Sequence, residues 1–412
     1  MRDTSTRFDI AISGASFAGL ALARGLVQAL GDGIGIAMID RAGVSAASKD
    51  DGRAFAIWAG SKAVLEGLGV WQNIASAAEL MTSIEISDSA LGDGVRATRL
   101  TYDAKTDDGT PSAYIVPSSV LFRALYQSVA HDTAITWLAP AEAVGLTLGD
   151  FAAAITLNDG RSIEAALCVA AEGRASKLRD AAGIKTTGWG YAQRGIVATV
   201  QFELPHDGVA IQHFLPGGPF AILPLKNNRA CITWSSSDAE AERVLALDDA
   251  AFLQELDHRI GGRFGAIEVV GQRQSWPLDV KMARELTAKR FALIGDAAHG
   301  VHPVAGQGVN LAFRDVAALV EVLTDAARIG LDFGNGPALE RYARWRRFDS
   351  TMSAATYDGL NRLFSIDNTV LRAARGAGLG IVDQLPFVKR MILQEAAGLS
   401  GDLPKLVRGE RV

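Results

Sequence analysis

At 412 residues and 49% hydrophobic content, the chain is long enough to bury large cores, which excludes a disordered polymer and suits two connected domains. A net charge of -5 and a sequence pI near 5.8 provide no global attraction for nucleic acid or anionic lipid, so any membrane contact must come from a local patch. The two cysteines, Cys168 and Cys231, each lie in an apolar strand-like run and read as buried thiols of a reducing compartment. Met1 to Arg7 are polar, with no signal-peptide core, and no unbroken apolar run reaches the ~18 residues of a membrane span. The expectation is a cytoplasmic protein, or one peripheral on the inner face of the membrane.

In chain order, Phe8 to Ser13 reads as a short strand, Gly14 to Gly19 as a turn, Ala18 to Leu30 as a helix and Ile34 to Ile39 as a second strand ending in Asp40 and Arg41. This is a βαβ unit. Gly14 permits the tight turn, Gly19 allows helix and strand to pack closely, and free amides around Ala18 at the helix start suit a pyrophosphate. Asp40, ~20 residues past the turn, is placed to accept hydrogen bonds from an adenosine ribose. Ser16 stands where the dinucleotide pattern has its second glycine, so the turn departs from that pattern, and a merely structural βαβ turn carries similar glycines.

Far downstream, Phe291 to Ile294 forms an apolar strand-like run followed by GDAAHGVHPVAGQGVN, from Gly295 to Asn310. Asp296 falls at a strand end, the edge at which parallel sheets bind ligands, where a carboxylate can accept from ribitol hydroxyls. Gly306 and Gly308 let backbone lie against a flat ring, and Asn310 sits in the first turn of a helix reaching about Ile329. The positive end of that helix dipole would favour an anionic reduced flavin by roughly 0.3 to 2 kcal/mol. Together the two edges read as an FAD site.

The chain is similar to the class A flavoprotein aromatic hydroxylases, of which the para-hydroxybenzoate hydroxylase is the prototype, and within them to the ubiquinone-biosynthesis hydroxylases. The resemblance covers nearly the whole chain. It is carried by ISGASFAGLALARGL, RAFAIWAGSKAVLEGLGVW from Arg53, VLFRALYQ from Val120, AAEGRASKLRDAAGI from Ala171, GPFAILPL from Gly218, the Gly295–Asn310 run and YDGLNRLFS from Tyr357. The resemblance implies that Arg53 and Arg123 contact FAD, Asp296 the ribitol, and the loop of Pro303, Gly306, Gln307, Gly308, Val309 and Asn310 the isoalloxazine. Glu172-Gly173 stands where the family has Asp-Gly, a motif tied to FAD and to the nicotinamide donor. It further implies an NAD(P)H donor or a small electron-carrier protein, and a polyprenylated phenol hydroxylated through a flavin hydroperoxide with dioxygen. The cofactor would carry the chemistry, the protein positioning the ring and excluding water.

The expected fold is α/β with α+β insertions: a Rossmann-like FAD-binding domain with a parallel sheet (1–75, 115–185 and 275–345), an antiparallel-sheet substrate domain (76–114 and 186–274) and a helical C-terminal segment (346–412). Phe220, Ile222 and Leu223 suit either a greasy substrate wall or a plain core strand. Arg174 and Arg179, like Arg53 and Arg123, read without the resemblance as surface cations. His299 and His302 read as loop histidines bonded to backbone, and neither is assigned as a general base.

Arg341, Arg344, Arg346 and Arg347 around Trp345 read as a solvated helix face; a nucleic-acid partner is not expected of so short a basic patch. Leu379 to Leu399, with Leu385, Phe387, Met391, Ile392, Lys389 and Arg390, reads as a helix packed on the flavin domain or lying on a membrane or partner. There is no metal-ligand spacing and no nucleophile elbow. Two alternatives stay open: a hydroxylase of a small soluble aromatic, and a catalytically silent FAD-bound subunit that organises a biosynthetic complex.

Overall fold

Parallel pairing of Thr6–Ser13 with Ile36–Ile39 on one side and Ser162–Ala170 on the other makes the centre of the first sheet. The computed structural model describes residues 6–43, 51–93, 96–302, 306–334, 336–366 and 368–412. The sheet runs Thr287–Ala288, Phe291–Leu293, Ser162–Ala170, Thr6–Ser13, Ile36–Ile39, Ile135–Leu138, with Ala153–Leu157 and Ala143–Leu148 joined as an antiparallel flap. Ile10, Ile12, Ala37, Leu167, Val169 and Ala292 are fully buried, as expected of parallel strands covered on both faces. Register brings the strand ends level with one another: Ser13 pairs with Ile39 and Ala170, and Ala170 with Leu293. Gly14, Asp40, Ala171 and Ile294 therefore share one edge.

Two helices rise from that edge and pack side by side, Phe17–Leu30 and Gly308–Arg328. Their contact is close enough that a Cβ on Gly25 would lie 2.7 Å from Val320 Cγ2. The apolar period predicted from Leu311 onward holds: Val316, Leu319, Val320 and Leu323 are buried in the core of the first domain, and Leu311 in a small cluster with Val301 and Ala354.

The second sheet orders His299–Gly300, Ile267–Ala283, Thr186–Phe202, Arg229–Ser237, Gly218–Leu225, Val209–Leu215, Ser83–Asp88 and Leu100–Asp103. It is antiparallel except for the parallel pair Val209–Leu215 and Ser83–Asp88. The strand Ile267–Ala283 runs across the boundary expected at 275. Side chains alternate between two faces. One packs under helices Asp238–Leu245 and Asp249–Ile260 and sets Ile196, Phe220, Ile222 and Trp234 against Phe252 of the second helix; the other holds Val197, Leu225 and Cys231 against Ala56, Trp58, Leu393 and Ala397. The substrate-wall expectation is corrected for Phe220 and Ile222: strand alternation sends both into the helix-covered core, and Leu223 alone faces the other way.

The long helix Gly336–Ser365 is followed by Thr369–Asp383 and Pro386–Ala397, so the stretch read as one helix over 379–399 is broken. Pro386 cannot donate its amide and opens a new helix instead. This end of the chain returns to the first domain, where a Cβ on Gly60 would lie 2.9 Å from Gly398 O.

Candidate active site

The N-terminal turn is built by steric necessity. Gly14 has φ +106°, and a Cβ there would lie 2.5 Å from the Ala171 carbonyl oxygen; a Cβ on Gly19 would collide with Gly14 O. Ser16, the departure from the glycine pattern, is the helix N-cap and accepts from Gly19 N at 3.3 Å. Asp40 accepts from Ala15 N and Ala42 N at 2.7 Å each, so its carboxylate lies against the turn, with Arg41 exposed beside it.

The distal run arrives from the same side. A Cβ on Gly295 would lie 3.4 Å from both Ala18 Cβ and Ala312 Cβ, which places the strand end between the first turns of the two helices. Neither helix carries an acidic residue in its own first turn, so neither positive end is neutralised from within its helix. Asp296 is 43% exposed, bonds Arg174 Nε at 3.2 Å and faces Gly308. Gly306 has φ +60° and Val309 is buried in the first helical turn. Asn310 stitches the loop to the strand Ala54–Trp58: it accepts from Trp58 N at 3.1 Å and donates to Ala56 O at 2.8 Å and Gly306 O at 3.1 Å. Gln307 donates to Ala396 O at 3.1 Å, which docks the C-terminal segment on this loop. Pro303 lies outside the described residues.

Arg53 and Arg123 lie next to an aromatic cluster at the start of the first helix. Phe17, at the start of its helix, meets Phe55 edge-on at 5.2 Å and Phe122 at 6.1 Å. Arg123, next to Phe122, is exposed, and Arg53, two residues before Phe55, pairs with Asp51 at 2.5 Å and lies 5.1 Å over the Trp276 ring. Desolvation raises the Asp51 carboxyl, yet the bonds from Arg53 and Ser118 outweigh it and hold it below its ordinary range.

Glu172, the second departure, is fully engaged: Ser13 Oγ and Ser176 Oγ each donate to it at 2.6 Å. The longer acid spans the gap between the first strand and the short helix Lys177–Ala181. The surface reading of Arg179 and Arg174 is corrected. Arg179 is 1% exposed and donates to Arg174 O and Ala297 O; Arg174 bridges Asp296, Asp279 and Val301 O from a half-buried position.

Behind the distal run sits a polar node that the sequence reading missed. Asp315 is fully buried and accepts from Gly295 N at 2.8 Å, Arg346 Nε at 2.7 Å and His299 Nε2 at 2.6 Å. Burial raises its carboxyl, but the facing His299 and Arg346 prevail and keep it ionised. Arg346 is 3% exposed, which corrects its assignment to a solvated face; Arg341, Arg344 and Arg347 are exposed as expected. The signal available was an aspartate early in a largely apolar helix, Asp315, and one arginine on the inward side of the next. Among the described residues neither histidine bonds backbone: His299 bonds Asp315, and His302 is buried with no partner for either ring nitrogen.

These features fit FAD. The Gly14 cradle and converging helix ends suit a pyrophosphate, and Trp58 Nε1, Gln307 Oε1 and the His302 ring nitrogens about the loop are buried polar atoms without partners among the described residues. Among the described residues no His/Cys/Asp/Glu group has metal-binding geometry.

A family model described as FAD binding domain matches residues 7–332. The chain is 36% identical over 406 residues to ubiquinone hydroxylase UbiL of Rhodospirillum rubrum, covering 97% of this chain and 92% of that one. It is 32% identical over 400 residues to 3-demethoxyubiquinol 3-hydroxylase of Escherichia coli, covering 96% and 100%. The crystal structure of p-nitrophenol 4-monooxygenase PnpA from Pseudomonas putida superposes with a TM-score of 0.79 at 18% identity over 97% of this chain and 99% of that chain, a likeness of fold. Turn, distal loop and full-length kinship agree: the chain belongs to the FAD binding domain family and is an FAD-dependent monooxygenase.

Proposed function

We propose that the protein hydroxylates the aromatic ring of a polyprenylated phenol on the way to ubiquinone, with dioxygen as co-substrate and NAD(P)H or a small electron carrier as reductant. The observation that carries the cofactor is Gly295 set between Ala18 and Ala312, which joins the two glycine-bearing edges. The substrate class rests on the names of the relatives, which act in ubiquinone hydroxylation. When bound, FAD supplies the redox chemistry that activates dioxygen. Around it, Gly14 and the amides near Ala18 hold the pyrophosphate, Asp40 the ribose, Asp296 the ribitol, and the Gly306–Asn310 backbone the ring. Arg53 and Arg123 close the rim. Leu223, with Val197 and Trp276 on the same face of the second sheet, supplies the apolar wall.

Peripheral membrane contact is part of this reading. Phe387 is 67% exposed, Met391 55% and Ile392 45%, beside Lys389 and Arg390, an apolar and cationic edge suited to the lipid in which a prenylated phenol resides. Among the described residues no helix is long and apolar enough to cross a membrane. Membership of a ubiquinone-biosynthesis complex is proposed on the same kinship.

The test compares donor oxidation by FAD-loaded protein with prenylated and unprenylated phenols, together with mass spectrometry of the prenylated intermediates that accumulate when the gene is deleted. Stimulation by the prenylated compound alone, and a blocked prenylphenol in the deletion strain, support the reading. Equal stimulation by a small soluble phenol with no blocked prenylphenol would overturn it.

A further inference from the structure

A bulge in Thr186–Phe202, one of the two 17-residue strands of the second sheet, brings three elements to one buried point beside the cofactor loop. Pairing of Thr186–Phe202 with Ile267–Ala283 slips between Gly190 and Gln193, leaving Tyr191 and Ala192 as a bulge, and Ala192 takes φ +52°. That conformation is unfavourable for a residue with a Cβ, and bulges of this kind re-aim side chains beside active sites. The side chain re-aimed here is Tyr191. Its ring meets His302 edge-on at 5.1 Å and its hydroxyl donates to Asp358 Oδ1 at 2.7 Å.

His302 lies at the start of the loop that reaches Gly306. It is 1% exposed, and neither Nδ1 nor Nε2 has a partner among the described residues. A buried polar group left this way costs about 1–3 kcal/mol, a cost that needs an explanation. The charged and titratable groups facing it are Arg174 from the loop after Ser162–Ala170, Asp358 from the long helix and Tyr191 from the bulge. Desolvation first, and then Arg174, push its pKa down to about 4, against a smaller opposing effect of Asp358. At neutral pH the ring is therefore uncharged, with one nitrogen a donor and the other an acceptor.

On the far side of the bulge, Gln193 donates to Gly217 O at 2.7 Å and accepts from Asn361 Nδ2 at 3.3 Å, so the polar groups beyond the histidine are already engaged. Tyr191 is likewise committed to Asp358. Among the described residues, the side chain packed against Tyr191 that still lacks a hydrogen-bond partner is the histidine.

We propose that His302 accepts the hydrogen bond of the substrate's ring hydroxyl and thereby sets which ring carbon faces the cofactor. This makes it a specificity-determining residue, and it rests on the proposed phenol substrate. The hydroxyl proton stays on oxygen in this contact; no bond is made or broken. A phenol satisfies the open acceptor, whereas its methyl ether, lacking the proton, leaves it unsatisfied and pays the desolvation of both groups.

The experiment uses FAD-loaded, oxidised protein without electron donor at neutral pH, and reads ligand binding from the absorbance change of the bound flavin. The probes are an ortho-prenylated phenol and its methyl ether. The wild-type protein is expected to bind the phenol about 10-fold more tightly than the ether, the value of one hydrogen bond. His302→Phe is expected to lose that preference by weakening the phenol alone, and His302→Gln, which restores an acceptor, to regain part of it. A His302→Phe variant that keeps the preference, or that weakens both ligands equally as a merely structural residue would, overturns the proposal. Should that variant fail to hold FAD, equal wild-type affinities for phenol and ether overturn it without any mutant. If the wild-type protein binds neither probe, the phenol reading itself has failed, and the assignment of His302 falls with it.

Discussion

Asp315 holds Gly295 from within the neighbouring helix: its carboxylate accepts the Gly295 amide at 2.8 Å while also receiving Arg346 and His299. The turn that bears Asp296 is thus anchored by a charge cluster in its rear. Removing the carboxylate leaves Arg346 buried without its main partner, the costly half of a broken buried pair. Asp315→Ala is expected to destabilise the protein by about 3–5 kcal/mol and to weaken FAD binding as Gly295 is released, measured by urea unfolding and by flavin titration. A change under ~1 kcal/mol would show that the node is not holding the turn.

At Gly14 the constraint is steric. With φ +106° and the Ala171 carbonyl oxygen 2.5 Å from the position of a Cβ, Gly14→Ala must shift the turn that receives the pyrophosphate. The expected outcome is a folded protein whose FAD affinity drops by 10-fold or more, read by fluorescence quenching on FAD titration. Gly31, with φ +71° and open space around it, is the control: Gly31→Ala changes stability modestly and FAD affinity not at all.

Much of this arrangement was legible in the chain. The first βαβ unit, the strand ending at Ile294 and the helix through Arg328 arise from apolar period and glycine placement, and parallel register then forces Gly14 and Asp296 to one edge. What sequence could not show was the side on which isolated charged groups fall. Arg346 and Arg347 are adjacent in the chain, one buried and one exposed, because the helix turns by 100° per residue and only packing against Asp315 distinguishes them. Phe220 and Ile222 stayed open between substrate wall and core for a related reason: a strand with both faces buried has no polar face to report its orientation. Tyr191 was invisible because nothing in Gly190-Tyr191-Ala192 announces a bulge.

The two strongly depressed histidines imply a pH dependence of stability. Burial is the main cause at both His213 and His302, with Arg96 and Arg263 adding at the first and Arg174 at the second, and both fall from an ordinary 6.5 to about 4. The fold favours their neutral forms, so this stability is fully present above pH 6.5 and is lost as pH falls from 6.5 toward 4, roughly 3 kcal/mol for each. Unfolding free energies across that window should fall with a slope near two protons from these groups, and His213→Gln should reduce it by one. An unchanged slope in that variant would contradict the assignment.

On the C-terminal helices, Phe387→Glu changes an exposed side chain and should leave unfolding free energy within about 0.5 kcal/mol of the wild type. Association with anionic vesicles, measured by flotation, should drop several-fold if the Phe387, Met391 and Ile392 edge meets lipid. Equal flotation of variant and wild type would remove the membrane contact and leave the enzyme assignment intact.

The most direct measurement is an FAD titration of the purified protein alongside Gly14→Ala and Asp296→Ala, one substitution on each edge. The account predicts one tightly bound FAD per chain in the wild type and weakened binding in both variants. A wild-type protein that takes up no flavin, or variants that bind it unchanged, would contradict it.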